Sequence, residues 1–251
     1  MTPRAKNWDH HVGDAEEISR QPGFQLLRDR IVELAELTPE DTVVDVGAGT
    51  GLLALAIAPR VEAVWAIDFS AAMTRYLEAK AASGALANLR SVTASATSLP
   101  LMDGVADVVV SNYCLHHLRD RDKHRALHEA FRVLKPGGRL VIADMMFSVT
   151  LSGRRDRRVL ADKITAMLHR GPAGLWRLAR NAARYLSGRW EHPANAAWWR
   201  AALGDTGFSD IEIELLEHEG GIARARRPPA ATATSPNGRH RELRALAPKP
   251  A

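Results

Sequence analysis

The sequence predicts an α/β protein built on a doubly wound, mostly parallel seven-stranded sheet. Three observations carry that expectation. Short apolar runs alternate with helical patterns from Asp41 to Phe147. A glycine-rich turn, Gly47-Ala48-Gly49-Thr50-Gly51, joins the first run to the helix expected after it. Two more strand-like runs come near the C-terminal end, after a long stretch of different character.

The runs TVVDVG, EAVWAID, RSVTA, ADVVVSN and RLVIADMMF are rich in Val, Ile and Ala and apolar almost throughout. Such runs suit parallel strands covered on both faces. Ahead of them, Phe24 to Leu37 reads as an amphipathic helix ended by Thr38-Pro39. Between them, one helix is expected from near Thr50 and another from Ser70 to Ala82 with Ser70 as N-cap. A third runs from about Arg121 to Leu134, where KPGG stops it. After Phe147 the alternation breaks. Arg154 to Arg170 places Leu160, Ile164, Met167 and Leu168 on one helical stripe. Leu175 to Leu186 does the same with Leu175, Leu178, Ala179, Ala182 and Leu186, and gathers Arg177, Arg180 and Arg184 opposite. A helix through NAAWWRAALGD, a stop at Gly207 and the strands SDIEIELLE and GGIARAR then complete the sheet. The expected organisation is a helical cap over 1–40, a core over 41–147, a basic helical insertion over 148–192, a closing unit over 193–227 and a disordered tail over 228–251.

Composition narrows the class. With 46% hydrophobic and 25% charged residues, the chain has the balance of an ordinary soluble globular protein. Its longest clean apolar run, Leu52 to Ala58, is far short of the roughly 20 residues of a membrane span. The start, MTPRAKNWDHH, has no apolar stretch behind its charges, so no secretory signal is expected. The single cysteine, Cys114, allows no internal disulfide, and a cytoplasmic location is expected. The net charge of +5 is local. Ser148 to Arg200 holds 11 Lys and Arg against 3 Asp and Glu, while the rest holds 23 against 26. Basicity concentrated in the insertion points to a partner there.

A glycine-rich turn from strand into helix lets a ligand approach the backbone and presents helix N-terminal N–H groups to it. The spacing here differs from the dinucleotide fingerprint G-x-G-x-x-G, and Asp45 precedes the first glycine by two residues. The second strand ends in Asp68, 19 positions after Gly49. An acid at that edge is where a ribose diol of a nucleoside would be held.

The stretches VVDVGAGTG (43–51), AIDFS (66–70), TSLPLMDGVADVVVSNYCLHHL (97–118) and FRVLKPGGRLVIAD (131–144), in this order and spacing, resemble the class I S-adenosylmethionine-dependent methyltransferases. Within that family the chain looks most like the quinone-biosynthesis C-methyltransferases and related small-molecule and lipid enzymes. The resemblance covers roughly residues 40 to 147. It implies a Rossmann-like methyltransferase fold with an insertion after strand five, and S-adenosyl-L-methionine as cofactor. It also implies that Gly47, Ala48, Gly49 and Gly51 form the floor under the methionine half and ribose. Asp45 would orient that loop and the cofactor's amino group. Asp68 would hold the ribose hydroxyls, with Phe69 beside the adenine, and Asn112 would face the methionine portion. The family has an acid before Ala after the third strand. This chain has Ser95-Ala96, whose hydroxyl and backbone N–H would serve the adenine, the hydroxyl more weakly than a charge.

Methyl transfer needs alignment and exclusion of water, and a base only where the acceptor is protonated. His116 and His117, just past strand four, are the candidate bases, with Tyr113 lining the same pocket. His124 and His128, four apart on a helix, have metal-pair spacing but no evident third ligand, so no metal is expected. Cys114 reads as a small buried side chain. The insertion, with Trp176, Tyr185 and Trp190 among its arginines, reads as a lid over a small-molecule or lipid-like acceptor, and as a surface for peripheral contact with anionic membranes. Nucleic acid is disfavoured as a partner, because SNYC lacks the Pro-Pro-aromatic element of base-amino methyltransferases and no RNA-binding module is present. The competing readings are a non-catalytic module that keeps the cofactor fold, a basic-lid nucleic-acid methyltransferase, and a dinucleotide dehydrogenase. The oligomeric state is not legible.

Overall fold

A computed structural model describes residues 8–147, 154–169, 171, 176 and 191–230. Its centre is a seven-stranded sheet in the order β3-β2-β1-β4-β5-β7-β6. The strands are β1 (Thr42–Val46), β2 (Ala63–Asp68), β3 (Leu89–Thr93), β4 (Ala106–Asn112), β5 (Leu134–Met145), β6 (Ser209–Leu215) and β7 (Gly220–Arg226). β1 to β5 pair in parallel, and β7 runs antiparallel to both β5 and β6. This is the doubly wound, mostly parallel sheet expected from the alternating runs.

Adjacent residues of one strand feed opposite layers, which is why the strands read as unbroken apolar runs. Val44, Val46, Val109, Leu140 and Ile142 pack in one layer with Leu127, Trp199 and Leu203. Val43, Val64, Val108, Val110 and Val141 pack in the other with Ile31, Ile57 and Leu77. The first layer rests on α5 (Asp120–Val133) and α7 (Ala196–Thr206). The second rests on α2 (Pro22–Leu34), α3 (Ala54–Ile57) and α4 (Ala71–Ser83).

Helix boundaries follow local chemistry. Ser70 caps α4, its hydroxyl accepting from the Met73 N–H at 3.2 Å. Asn195 caps α7 in the same way at 2.8 Å, and Gly207 ends it at φ 104°, a left-handed conformation that glycine adopts without strain. α2 ends at Leu34, ahead of the expected stop at Thr38-Pro39, and three further features differ from expectation. The helix expected from near Thr50 is only α3, because residues 47–53 are spent on the turn. KPGG does not separate α5 from the next strand, since β5 begins at Leu134 and runs through it. A further helix, α1 (Val12–Ser19), precedes α2, and it buries none of its residues, so its pattern gave no apolar stripe to read.

The first insertion helix is present as α6 (Arg154–Leu168). Ile164 and Leu168 of its expected stripe are 38% and 49% exposed, so that face is not covered by the described residues. Of the expected helix Leu175 to Leu186 only Trp176 is described, and it is exposed; the three arginines, Tyr185, Trp190 and the tail from residue 231 onward lie outside the described residues. No helix among the described residues is long and apolar enough to cross a membrane.

Candidate functional site

β1 leads to β2 on one side of the sheet, whereas β4 lies on its other side. The carboxyl ends of β1 and β4 therefore flank the point where strand order reverses. In open parallel sheets the crevice outside that point is the ligand site. The glycine turn and Asn112-Tyr113 both emerge there, with Asp68 at the end of the neighbouring strand β2.

The glycines serve different purposes. Gly47 has φ 76°, and a Cβ there would lie 2.1 Å from Cys114 Sγ. Gly51 has φ 94°, and a Cβ would lie 2.3 Å from Leu77 Cδ1. Close packing holds both positions at glycine. At Gly49, φ 53°, a Cβ would meet nothing within 4 Å, so this backbone borders open space. Ala48 beside it is buried.

Two carboxylates tie the turn to the sheet. Asp45, 1% exposed, accepts from the Ala54 N–H at 3.0 Å. Burial pushes its pKa up to about 7, opposed by the Ala54 hydrogen bond and helped by the negative charge of Asp68. Asp68 accepts from Gly49 N–H at 2.8 Å through Oδ2 and from Ser70 N–H at 2.9 Å through Oδ1. Burial raises its pKa too, against the pull of those N–H groups. Each oxygen of Asp68 keeps a lone pair for a further donor. Phe69 next to it is 60% exposed at the rim. Ser95 and Ala96 are half-buried after β3. The Ser95 hydroxyl is engaged within its own loop, 2.8 Å from Thr97 Oγ1 and accepting from Thr97 N–H at 3.2 Å.

On the other side of the crevice, Asn112 Oδ1 is buried without a hydrogen-bond partner. An unsatisfied buried acceptor is costly and calls for a donor in the crevice. Tyr113 comes next at φ 48°, and burial raises its phenol pKa. A short 3-10 turn, Leu115–His117, then carries the two histidines. His116 is buried, donating its backbone N–H to Asp144 Oδ2 at 3.0 Å, while its Nδ1 lies 2.5 Å from Asp144 Oδ1. The two imidazole centroids are 3.9 Å apart, and Tyr113 meets His116 edge-on at 5.9 Å. His124, by contrast, packs at a tilt against Trp198, and His128 is exposed.

Four contributors escaped the sequence. Asp144 ends β5 fully buried, an acid closing an apolar run, and that position was its signal. Trp8 packs against His117 at a tilt, ring centroids 4.7 Å apart, and Phe24 meets Tyr113 edge-on at 5.3 Å. Glu191 comes within reach of both histidines because the His192 N–H donates to the His116 carbonyl at 2.7 Å. Nothing in the sequence marks these long-range meetings.

A crevice at the switch point with an acid on β2 and a glycine turn defines a nucleoside-binding α/β protein. The methyltransferase domain family model matches residues 43–138. An uncharacterised methyltransferase of Mycobacterium bovis is 32% identical over 70% of this chain and 76% of its own length. The demethylmenaquinone methyltransferase of Mycolicibacterium vanbaalenii is 36% identical over 112 residues, 45% of each chain. Among solved structures, phosphoethanolamine N-methyltransferase 2 of Haemonchus contortus, in complex with S-adenosyl-L-methionine, superposes with a TM-score of 0.68 over 90% of this chain and 58% of its own, at 17% identity, a likeness of fold. The chain belongs to the class I S-adenosylmethionine-dependent methyltransferases. It spans less than half the length of several curated relatives it matches, 42% to 45%. The family's cofactor is S-adenosyl-L-methionine, and the crevice fits it: Asn112 Oδ1 lacks a donor and Gly49 opens on space.

Proposed function

We propose that this chain transfers a methyl group from S-adenosyl-L-methionine to a small, hydrophobic acceptor of the quinol, lipid or natural-product kind. The observation that carries the cofactor half is the pairing of an unpartnered, buried Asn112 Oδ1 with open space at Gly49. The bound cofactor supplies an electrophilic methyl on a sulfonium, displaced in line with a neutral thioether as leaving group. This chain's residues then have to hold, align and keep out water.

In this reading Asp68 takes the ribose hydroxyls on the lone pairs left by its two backbone bonds. Asp45, ionised, and Asn112 Oδ1 receive the cofactor's ammonium end, directly or through water. Gly47, Ala48, Gly49 and Gly51 form the floor, Phe69 flanks the adenine, and the Ala96 N–H serves its ring. Ser95 contributes only if its bond to Thr97 opens. His116, His117 and Tyr113 form the acceptor end, where an imidazole takes the proton of a hydroxyl or an activated ring carbon. The aromatic side chains next to the histidines, Trp8 against His117 and Tyr113 with Phe24 behind it, support an apolar, planar acceptor. The demethylmenaquinone enzyme among the relatives supports a quinol class. The basic insertion supports collection of such acceptors from anionic membrane surfaces.

The test is a screen of quinol, fatty-acid, phenolic and polyketide-like acceptors with isotopically labelled methyl donor. Label is expected in an extracted apolar product, reduced at least tenfold in His117→Ala or His116→Ala. Label in none of the four classes contradicts the acceptor assignment. Full turnover in both variants removes the histidines from the chemistry.

A further inference from the structure

We propose that His116, His117 and Glu191 form a binding site for a divalent transition-metal ion at the acceptor end of the crevice. One ligand atom from each of the three residues lies within 4.8 Å of the other two. Around an ion with bonds of about 2.1 Å, tetrahedral ligands stand roughly 3.4 Å apart, so a closure on the order of 1 Å completes the set. His117 and Glu191 are half-buried and near the surface, where that adjustment is inexpensive.

The order of the site is built in. Asp144, fully buried at the end of β5, accepts from both the backbone N–H and the ring Nδ1 of His116. With Nδ1 donating to that carboxylate, Nε2 is the nitrogen turned to a ligand. A carboxylate behind a histidine in this way fixes its tautomer and ring orientation and is the usual outer support of a metal-bound imidazole. Asp144 is itself held by accepting the Met145 N–H at 2.7 Å. Glu191 is brought in from the far side of the insertion by the bond from His192 N–H to the His116 carbonyl. The three ligands thus come from two chain segments about 75 residues apart, pinned to each other by main chain. Trp8 packs against the His117 ring, centroids 4.7 Å apart, and holds that imidazole from outside the cluster.

Ligand chemistry names the ion. Two imidazoles with one carboxylate suit borderline ions such as Zn²⁺ or Co²⁺, and are poor for Mg²⁺ or Ca²⁺, which prefer all-oxygen shells. Three protein ligands leave a coordination position open, as in sites that act on a bound molecule. The site deepens the methyl-transfer reading and rests on it only for its neighbour: an oxygen of the acceptor would take the open position. With the ion bound, the imidazoles would act as ligands and the cation would take over the task assigned above to an imidazole base: the bound oxygen would be acidified and lose its proton to water.

Chelator-stripped full-length protein is titrated with ZnCl₂ by calorimetry and with CoCl₂ by visible absorption. One equivalent is expected, with a cobalt spectrum of low coordination number. Glu191→Gln and His117→Ala should each weaken binding at least tenfold and alter that spectrum, while His128→Ala, on the exposed face of α5, should leave both unchanged. Glu191→Gln keeps shape and serves even if His117→Ala fails to fold. Absence of saturable binding, or equal binding by Glu191→Gln, overturns the site. S-adenosylhomocysteine binding, measured on the same samples, reports separately on the cofactor reading.

Discussion

Asp45 is the residue at which burial and ligand binding meet. Its carboxyl is inside the protein with one N–H for company, and its pKa rises to about 7 from an ordinary 3.8. The folded protein therefore holds a proton on Asp45 between about pH 4 and 7 that the unfolded chain has released. Stability from this group is greatest below that window and falls as pH rises through it. Cofactor binding should run the other way. A cationic amino group favours the ionised acid, so binding releases the proton, and affinity for S-adenosylhomocysteine should climb about tenfold per pH unit up to pH 7. Calorimetry in buffers of different ionisation enthalpy reads that proton directly, and a pH-independent affinity would contradict the role of Asp45. The glycines make a second prediction at this scale. Gly47→Ala forces a Cβ onto Cys114 Sγ at a left-handed φ and should cost roughly 1–3 kcal/mol by denaturant unfolding. Gly49→Ala adds a methyl to open space and should spare more of the stability while weakening the cofactor.

The elements that frame the crevice differ in how they are held. α4 starts at the site, and its cap Ser70 also donates to Asp9 at 2.5 Å. Ser70→Ala should lower stability by about 1 kcal/mol, seen in the denaturant midpoint. The segment containing α1 is anchored by polar contacts. Glu16 pairs with Lys80 at 2.9 Å, Lys80 reaches the Thr50 carbonyl of the glycine turn at 3.2 Å, and Asp9 receives the Ala72 N–H at 3.1 Å. Such contacts are weak singly and readily opened, unlike the packed layers of the sheet. Addition of S-adenosylhomocysteine should slow hydrogen exchange across Val12–Ser19; no change there would mean that the segment is not part of the site's cover. The strands were legible because burial on both faces writes an apolar run into the sequence. α4 and α7 were legible through Ser70 and Gly207. α1 was not, because a helix fastened by ion pairs leaves no periodic stripe, and the short α3 was lost because its turn consumes the residues that looked helical.

For the molecule as a whole, the order of the strands turns scattered motifs into one crevice. Asp45, Asp68 and the glycines were readable because each sits at a fixed offset from a strand end. Asn112 was readable for the same reason, but its unpaired oxygen was not, since satisfaction depends on everything around it. Asp144, Trp8 and Glu191 join His116 and His117 across long stretches of chain, and no spacing rule carries such meetings. The neutral Ser95, where the family has an acid, turned out to be occupied with Thr97, a local bond that residue types alone do not reveal. The central claim is that this crevice is a site for S-adenosyl-L-methionine. Titration calorimetry of the full chain with S-adenosylhomocysteine, with NAD as comparison, tests it most directly. The expected result is one-site binding of S-adenosylhomocysteine, weakened at least tenfold in Asp68→Ala and in Asn112→Ala, with no binding of NAD. No heat with S-adenosylhomocysteine, or binding of NAD in its place, would contradict it.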